Sequence, residues 1–476
     1  MPTPHSQKKS FPDSYITRIL SNPKTSLAVI FIAWKVLLLA VAISSPGPGY
    51  DTSTTLILSA NDLTETAKET LPGRLVTRLL RWDAIYFTQI AQRGYLLEQE
   101  WAFGWGFTRF LGWIGKGINA LGLGEPGSVE AVAGILAAHT SHFLSVLVLY
   151  DVSEIVFQTQ YELPVSKIAF ISAVLHIVTP AGMFLSAPFT ESLFSLLQFS
   201  AFSVYARSIQ ADEQDTPVLR DILIIASGLL TGLATTVRSN GILGGLIFAY
   251  DAFVIALRIF ETQDFMILPK LVATGYAGLL VALGAATPQF LAYLEYCSQV
   301  PAEEARPWCK KLVPSIYLWA QSYYWDVGFL RYWTLSNIPL FALAAPMLSL
   351  MAYSSIWGWT VFVEPAQSGT DRKSGEAALQ SNNEHLKAKM HHFLRNLCAI
   401  QMILAILALS SYHVQIITRL SSGYPVWYWW LSSAIIHNSK SETAKAWWNS
   451  PTIIIRWMII YAMIQGGLFA AFLPPA

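Results

Sequence analysis

Five short stretches hold the residues able to do chemistry in this chain, and the first is Arg81-Trp82-Asp83-Ala84. A carboxylate beside an aromatic side chain suits a general base acting on the hydroxyl of an amphiphilic substrate. The same residues also fit a helix cap, or an ion pair of Asp83 with Arg78 or Arg81. The second stretch, Ser186 to Ser192, puts Glu191 at a helix start, where the dipole stabilises an acidic side chain; the functional alternative is a carboxylate facing an aqueous cavity. The third, Thr235 to Gly241, carries Arg238 between two apolar runs. An ionisable group at that depth is a site candidate, and guanidinium binds phosphate bidentately; snorkelling to the interface is the alternative. The fourth, Pro314 to Trp333, offers Gln321, Tyr323, Tyr324, Trp325, Asp326 and Arg331, stacking faces and polar groups that suit a sugar ring. An interfacial aromatic belt has a similar composition. The fifth places His413 and Arg419 six residues apart at the end of an apolar run.

What is missing narrows the chemistry. There is no Walker A sequence, no dinucleotide-binding glycine fingerprint and no HExxH. No Cys/His cluster has zinc-like spacing, and no DxD pair of the kind that holds a nucleotide-sugar metal is present. No Lys/Arg tract suggests nucleic acid. An enzyme here would have to use a donor that reaches it through the membrane; no cofactor is expected, and no metal is required if arginines stabilise the leaving group.

The elements that must position these residues are transmembrane helices. Of 476 residues, 53% are hydrophobic and only 13% charged, about half the charged share of a soluble domain. The apolar residues form blocks long enough to cross about 30 Å of hydrocarbon, without the alternation of a membrane barrel. The expectation is an all-α polytopic membrane protein, with spans at 27–45, 130–156, 167–186, 189–206, 221–237, 240–258, 269–293, 337–362, 393–411 and 452–472. Residues 425–437 are a further span or an interfacial segment, so about ten or eleven helices are expected. Lys35 is the one charge well inside a span, either snorkelling or facing the bundle.

The first apolar run reads as an uncleaved signal anchor. With residues 1–26 cytosolic, the short basic loops fall on the cytosolic side. The polar tract 364–392 then reads as a cytosolic linker between a core over 27–363 and C-terminal spans over 393–476 with a lumenal rim segment. Loops 46–128 and 294–336 fall on the lumenal side. Within the first, Leu75 to Tyr95 has apolar residues at helical spacing and suggests amphipathic helices on the membrane surface. Trp101 to Leu121 suggests a second interfacial or re-entrant segment. Cys297 and Cys309 share the second lumenal loop, where an oxidising compartment permits either a disulfide or two free thiols.

Taken together, RWDAIYFTQIAQRGYLLEQEWAF at 81–103, FLSAPFTESLFSLL at 184–197, RSNGIL at 238–243, RPWCKKLVPSIYLWAQSYYWDVGFLRYW at 306–333 and HVQIITRLSSGYPVWYW at 413–429 resemble the GPI mannosyltransferase 2 family. The resemblance runs from about residue 25 to the end, except for 364–392. Two departures stand out: Tyr86 occupies the place expected for a His, and GWGFTRF follows Phe103 in place of a proline-containing run.

The resemblance implies a GT-C type membrane core in the endoplasmic reticulum, with its active site in the lumen. The donor it implies is dolichyl-phosphate mannose, the acceptor a one-mannose GPI glycolipid precursor, the product an α1,6 bond. A small accessory membrane subunit is implied as a partner. A β-linked donor giving an α product requires one inverting displacement, with Asp83 as base. Arg238, Arg331 and Arg419 would meet the phosphate, while Trp82, Glu191, Gln321, Tyr324, Trp325, Asp326 and His413 complete the substrate site. The alternatives are another lumenal transferase that uses a dolichyl-phosphate sugar and, from a different class, a lipid or solute transporter. Transport would call for internal repeats and paired midplane charges, and no convincing repeat is present.

Overall fold

The computed structural model describes residues 22–46, 49–60, 70–122, 129–158, 165–298, 300–301, 303–360, 374–438 and 451–474. The N-terminal lead through residue 21 and residues 361–373, which include the first part of the polar tract, lie outside these.

The described chain is helical. Its helices are α1 (Pro23–Ser44), α2 (Ser53–Ala60), α3 (Leu71–Leu79), α4 (Asp83–Arg93), α5 (Trp105–Ala120), α6 (Val129–Phe157), α7 (Val165–Ile177), α8 (Glu191–Glu213), α9 (Pro217–Val237), α10 (Gly245–Thr262), α11 (Leu268–Tyr296), α12 (Ile316–Tyr324), α13 (Ile338–Thr360), α14 (Ser374–Ser410), α15 (Val426–Asn438) and α16 (Pro451–Ala470). Short 3-10 turns link several of them, and Ile417–Leu420 makes a single α turn.

Among the described residues, eight helices are long and apolar enough to cross a bilayer: α1, α6, α9, α10, α11, α13, Glu384–Ser410 of α14, and α16. The chain is a multi-pass membrane protein. That number is smaller than the ten or eleven expected, for three physical reasons. The span expected at 167–186 breaks after Ile177, where Thr179 precedes Pro180; a residue before proline is pushed out of the α region. The helix that follows, α8, has 23 residues but buries Ser192, Ser195, Gln198, Ser203 and Ser208, so it is too polar to qualify on composition. Finally, α15 has 13 residues, short of the roughly 20 a crossing needs. The linker expected over 364–392 is helical from Ser374 onward and continuous with the following span, in keeping with its Ala, Leu, Glu and Lys content.

Burial of one helix face organises the bundle. In α1, Leu27, Phe31, Trp34, Lys35, Leu38 and Ala42 are buried at helical spacing, while Val29, Ile32 and Val36 are exposed on the other side, as a lipid-facing surface requires. The α9 and α11 backbones approach closely, because a Cβ on Gly232 would sit 2.6 Å from the Leu280 carbonyl oxygen. Small residues permit such crossings in membranes.

A second, smaller apolar cluster gathers Ile90, Tyr95, Trp101, Ala292, Trp308 and Ile316. It joins the loop helices α4 and α12 to the end of α11. The two long polar loops thus share one packed cap.

Candidate active site

The cap holds Asp83 as the first residue of α4. The amphipathic stretch expected over 75–95 forms two helices, broken at Leu80–Trp82, where Trp82 takes a left-handed φ of 55°. A non-glycine residue in that region stores about 1–3 kcal/mol of strain. The kink turns α4 away from α3 and leaves the Asp83 side chain 41% exposed. Its carboxylate also lies at the positive end of the α4 dipole. The arginines before it are structural. Arg78 donates to the carbonyls of Ser45 (3.0 Å) and Ala470 (3.3 Å). Arg81 is fully buried, donates to Thr54 Oγ1 at 3.1 Å and lies over the Phe472 ring. Together they clamp the ends of α1 and α16 to the cap.

The guanidinium that faces Asp83 comes from far along the chain. Arg419 Nη2 lies 3.4 Å from Asp83 Oδ2, and Arg419 Nε donates to Glu191 Oε1 at 2.7 Å. The same Glu191 oxygen lies 2.8 Å from Arg238 Nη1, which also donates to Thr190 Oγ1 at 2.6 Å. Four groups from four separate segments therefore form one alternating row: Asp83, Arg419, Glu191, Arg238. Glu191 is only 1% exposed, so a carboxylate that would be costly alone is held between two cations. The Arg419 side chain rests on the rings of Phe184 and Phe189, 4.1 and 4.9 Å from their centroids. Burial alone would weaken the Arg419 charge, but the Glu191 and Asp83 carboxylates outweigh it and hold its pKa above the usual value.

Each segment reaches the row for a local reason. Glu191 begins α8 after the broken 178–190 passage. Arg238 ends α9 in an extended conformation. Gly104 and Gly106, part of the GWGFTRF departure, let the start of α5 press against Thr236 and the Val237 carbonyl, where a Cβ would collide.

Beside Asp83 stands an aromatic wall. Tyr86, one turn along α4, stacks on Phe103 with centroids 4.5 Å apart, and Phe103 meets Trp325 edge-on at 5.8 Å. His413 pairs through Nε2 with the Trp325 carbonyl at 2.9 Å and stacks on Tyr332. Tyr324 donates to Glu98, as does the buried Trp308 indole. Cys309, next to Trp308, is bonded to Cys297. Glu98 thereby ties the second loop to the first, and the disulfide closes the second loop on itself.

The sequence candidates separate accordingly. Asp83, Glu191, Arg238 and Arg419 converge. Trp325 belongs to the wall, with Tyr324 and His413 supporting it. Trp82 packs on Phe472, and its buried indole N–H has no hydrogen-bond partner among the described residues. Gln321 is half-buried on α12, its carbonyl accepting from the Val327 N–H. Arg331 pairs with Asp326 at 3.2 Å on the exposed side of the loop and does not join the row. Thr190, Phe184, Phe189, Phe103 and Glu98 were not singled out in the sequence; FLSAPFTES carried the first three.

The model of the family described as mannosyltransferase (PIG-V) matches residues 24–476. The chain is 39% identical to the GPI mannosyltransferase 2 of Chaetomium globosum over 491 residues, covering 96% of this chain and 98% of the relative. It is 40% identical to that of Gibberella zeae, with the same two coverages, and 40% identical to that of Aspergillus fumigatus, with 96% and 95% covered. Among solved structures, the Archaeoglobus fulgidus oligosaccharyltransferase tethered to an acceptor peptide is similar over 92% of this chain, with a TM-score of 0.42 and 11% identity; this chain spans 55% of that one. On the family match and the near-full-length relatives, the chain belongs to the PIG-V mannosyltransferase family and is a GPI mannosyltransferase.

Proposed function

We propose that the chain transfers the second mannose, in α1,6 linkage, from dolichyl-phosphate mannose to a one-mannose GPI precursor in the lumenal leaflet of the endoplasmic reticulum, on a GT-C type core. The observation that carries this reading is the row Asp83–Arg419–Glu191–Arg238. It puts an accessible carboxylate beside buried guanidiniums at the cap of a membrane bundle.

In the reaction, Asp83 accepts the proton of the acceptor hydroxyl as that oxygen bonds to the anomeric carbon. The bond from that carbon to the phosphate oxygen breaks in the same displacement, and the configuration inverts. Dolichyl phosphate leaves with the electron pair, and the developing charge is met by the Arg419 and Arg238 donors, which can bind phosphate oxygens bidentately. Glu191 keeps both arginines in place without cancelling them, since one carboxylate is shared by two cations. The wall of Tyr86, Phe103 and Trp325 offers apolar faces to a sugar beside the base. The Cys297–Cys309 bond supports a lumenal position for the cap, because such bonds persist in oxidising compartments.

The test is mannosyl transfer in microsomes supplied with labelled dolichyl-phosphate mannose and a one-mannose GPI acceptor. Wild type should yield a two-mannose lipid, and Asp83→Asn should lower the rate about 10²–10⁴-fold. Transfer by both proteins removes Asp83 as base. No transfer by either, together with a different lipid accumulating in a deletion strain, points to another acceptor.

A further inference from the structure

Lys35 is buried in the middle of the first span, yet no carboxylate among the described residues lies within ion-pair distance of it. A charge at that depth is costly. Its ammonium instead donates to the Leu185 carbonyl at 2.7 Å and to Ser186 Oγ at 2.8 Å, with the Phe31 ring alongside. Both partners belong to the broken passage between α7 and α8. That passage carries Phe184 and Phe189, on which Arg419 rests, and ends at Thr190 and Glu191, which hold Arg238 and Arg419.

The passage needs fastening because it leaves helical geometry. Gly182 sits at a φ of +48°, and Gly182–Leu185 is a 3-10 turn. Such a turn leaves backbone groups without helical partners in a bundle that excludes water. Three side chains meet them: Gln465 of α16 accepts from the Met183 N–H at 3.2 Å, and the Leu185 carbonyl accepts from Lys35 of α1 at 2.7 Å and, at a longer 3.3 Å, from Ser192 Oγ of α8.

We propose that Lys35 is a positioning residue for mannosyl transfer: its ammonium pins the 184–191 turn so that Glu191, Phe184 and Phe189 hold the two arginines where the departing phosphate needs them. This rests on the reaction proposed above. Lys35 touches none of the four charged groups and acts only through the turn. A methionine of similar length fills the space but donates nothing to the carbonyl, whereas an arginine keeps the donors.

The experiment compares wild type, Lys35→Met, Lys35→Arg and Ser186→Ala in nanodiscs. It measures kcat, donor KM and hydrogen exchange of the peptide covering 183–192. Lys35→Met should raise exchange in that peptide while the rest of the bundle stays protected, and should lower kcat about 10²-fold, as an ångström-scale misplacement can. Lys35→Arg should recover most of that loss. Ser186→Ala, which keeps the Leu185 contact, should raise local exchange with a kcat loss of a few fold. Wild-type exchange and kcat in Lys35→Met overturn the proposal, as does a loss that Lys35→Arg fails to recover or that spreads over the whole bundle. If Lys35→Met does not yield folded protein, unchanged exchange at 183–192 in Ser186→Ala overturns it. Absence of transfer by wild type counts against the proposed reaction, while the exchange result still decides the role of Lys35.

Discussion

Arg419 bridges two carboxylates of opposite character: Nε donates to the buried Glu191 at 2.7 Å, and Nη2 lies 3.4 Å from the half-exposed Asp83. One contact is short and sealed from solvent, and the other is longer and open. The buried side fixes the guanidinium, and the open side leaves Asp83 accessible, as its proposed role as base requires.

That asymmetry predicts different fates for the two isosteric amides. Glu191→Gln removes the shared counter-charge of two largely buried arginines, and breaking such a pair costs about 3–5 kcal/mol. The variant should therefore lose both thermal stability and transfer. Asp83→Asn disturbs an exposed contact worth about 0–1 kcal/mol, so its melting midpoint should stay near wild type while transfer falls. Melting curves in nanodiscs alongside the transfer assay check this. A Glu191→Gln variant as stable as wild type would mean that the row does not hold the arginines.

Much of this arrangement could be read from residue types. The arginines of VRSN and ITRL and the acid of FTES stood out as charges at the ends of apolar runs, and the carboxylate of RWDA as an acid beside an aromatic on an amphipathic stretch. Their meeting could not be read, because it depends on how segments hundreds of residues apart cross. The role of Lys35 was hidden for the same reason, since its partner is a backbone carbonyl that one residue type reveals no better than another. Helix number suffered differently: a span is expected at 189–206, but α8 there buries a row of serines that keeps it out of the apolar count. Arg331 stays outside the row because Asp326, five residues earlier, offers it a nearer partner.

If the aromatic wall binds the acceptor as proposed, the disulfide should matter to it more than to Asp83. It closes a short loop beside Trp308, whose indole is anchored on Glu98, and closing a loop of about 15 residues restricts the unfolded chain by about 3 kcal/mol. Replacing both cysteines by serine should loosen the loop that carries Tyr324 and Trp325. The expected outcome is a raised KM for the glycolipid acceptor with a smaller change in kcat. Steady-state kinetics at varied acceptor and fixed donor measures it, and an unchanged acceptor KM would detach the wall from binding.

The first long loop should be acid-sensitive through Glu100. Its buried carboxylate accepts two hydrogen bonds from Arg93 and two more from the Leu96 and Leu97 N–H groups. Burial works to raise its pKa, but these donors outweigh it and hold it below the ordinary carboxylate value of 4.5. The folded group thus binds its proton less readily than the unfolded one. The stability it contributes is complete above the unfolded value and is lost as pH falls through the lower folded value. Hydrogen exchange of residues 93–103 should stay slow from pH 7 to about 5 and quicken below about 4, once corrected for intrinsic rates. Glu100→Gln should exchange faster at pH 7 and lose most of that pH dependence.

The last prediction concerns the glycines that distinguish this first loop. A Cβ on Gly104 would collide with the Val237 carbonyl, the residue before Arg238. That obstacle is backbone, so no side chain can swing away to make room. Gly104→Ala should push the start of α5 off the end of α9, shifting Arg238 away from Glu191 and Thr190. Because Asp83 and Arg419 do not depend on that contact, the proposed base and one guanidinium remain. Transfer should fall about tenfold to a hundredfold, chiefly in kcat, and should fall much less when Arg238→Ala is already present. A double-mutant comparison of Gly104→Ala with Arg238→Ala reads that coupling directly. Additive losses would show that the glycine acts elsewhere in the cap, and that Arg238 is not held in the row by the packing of α5.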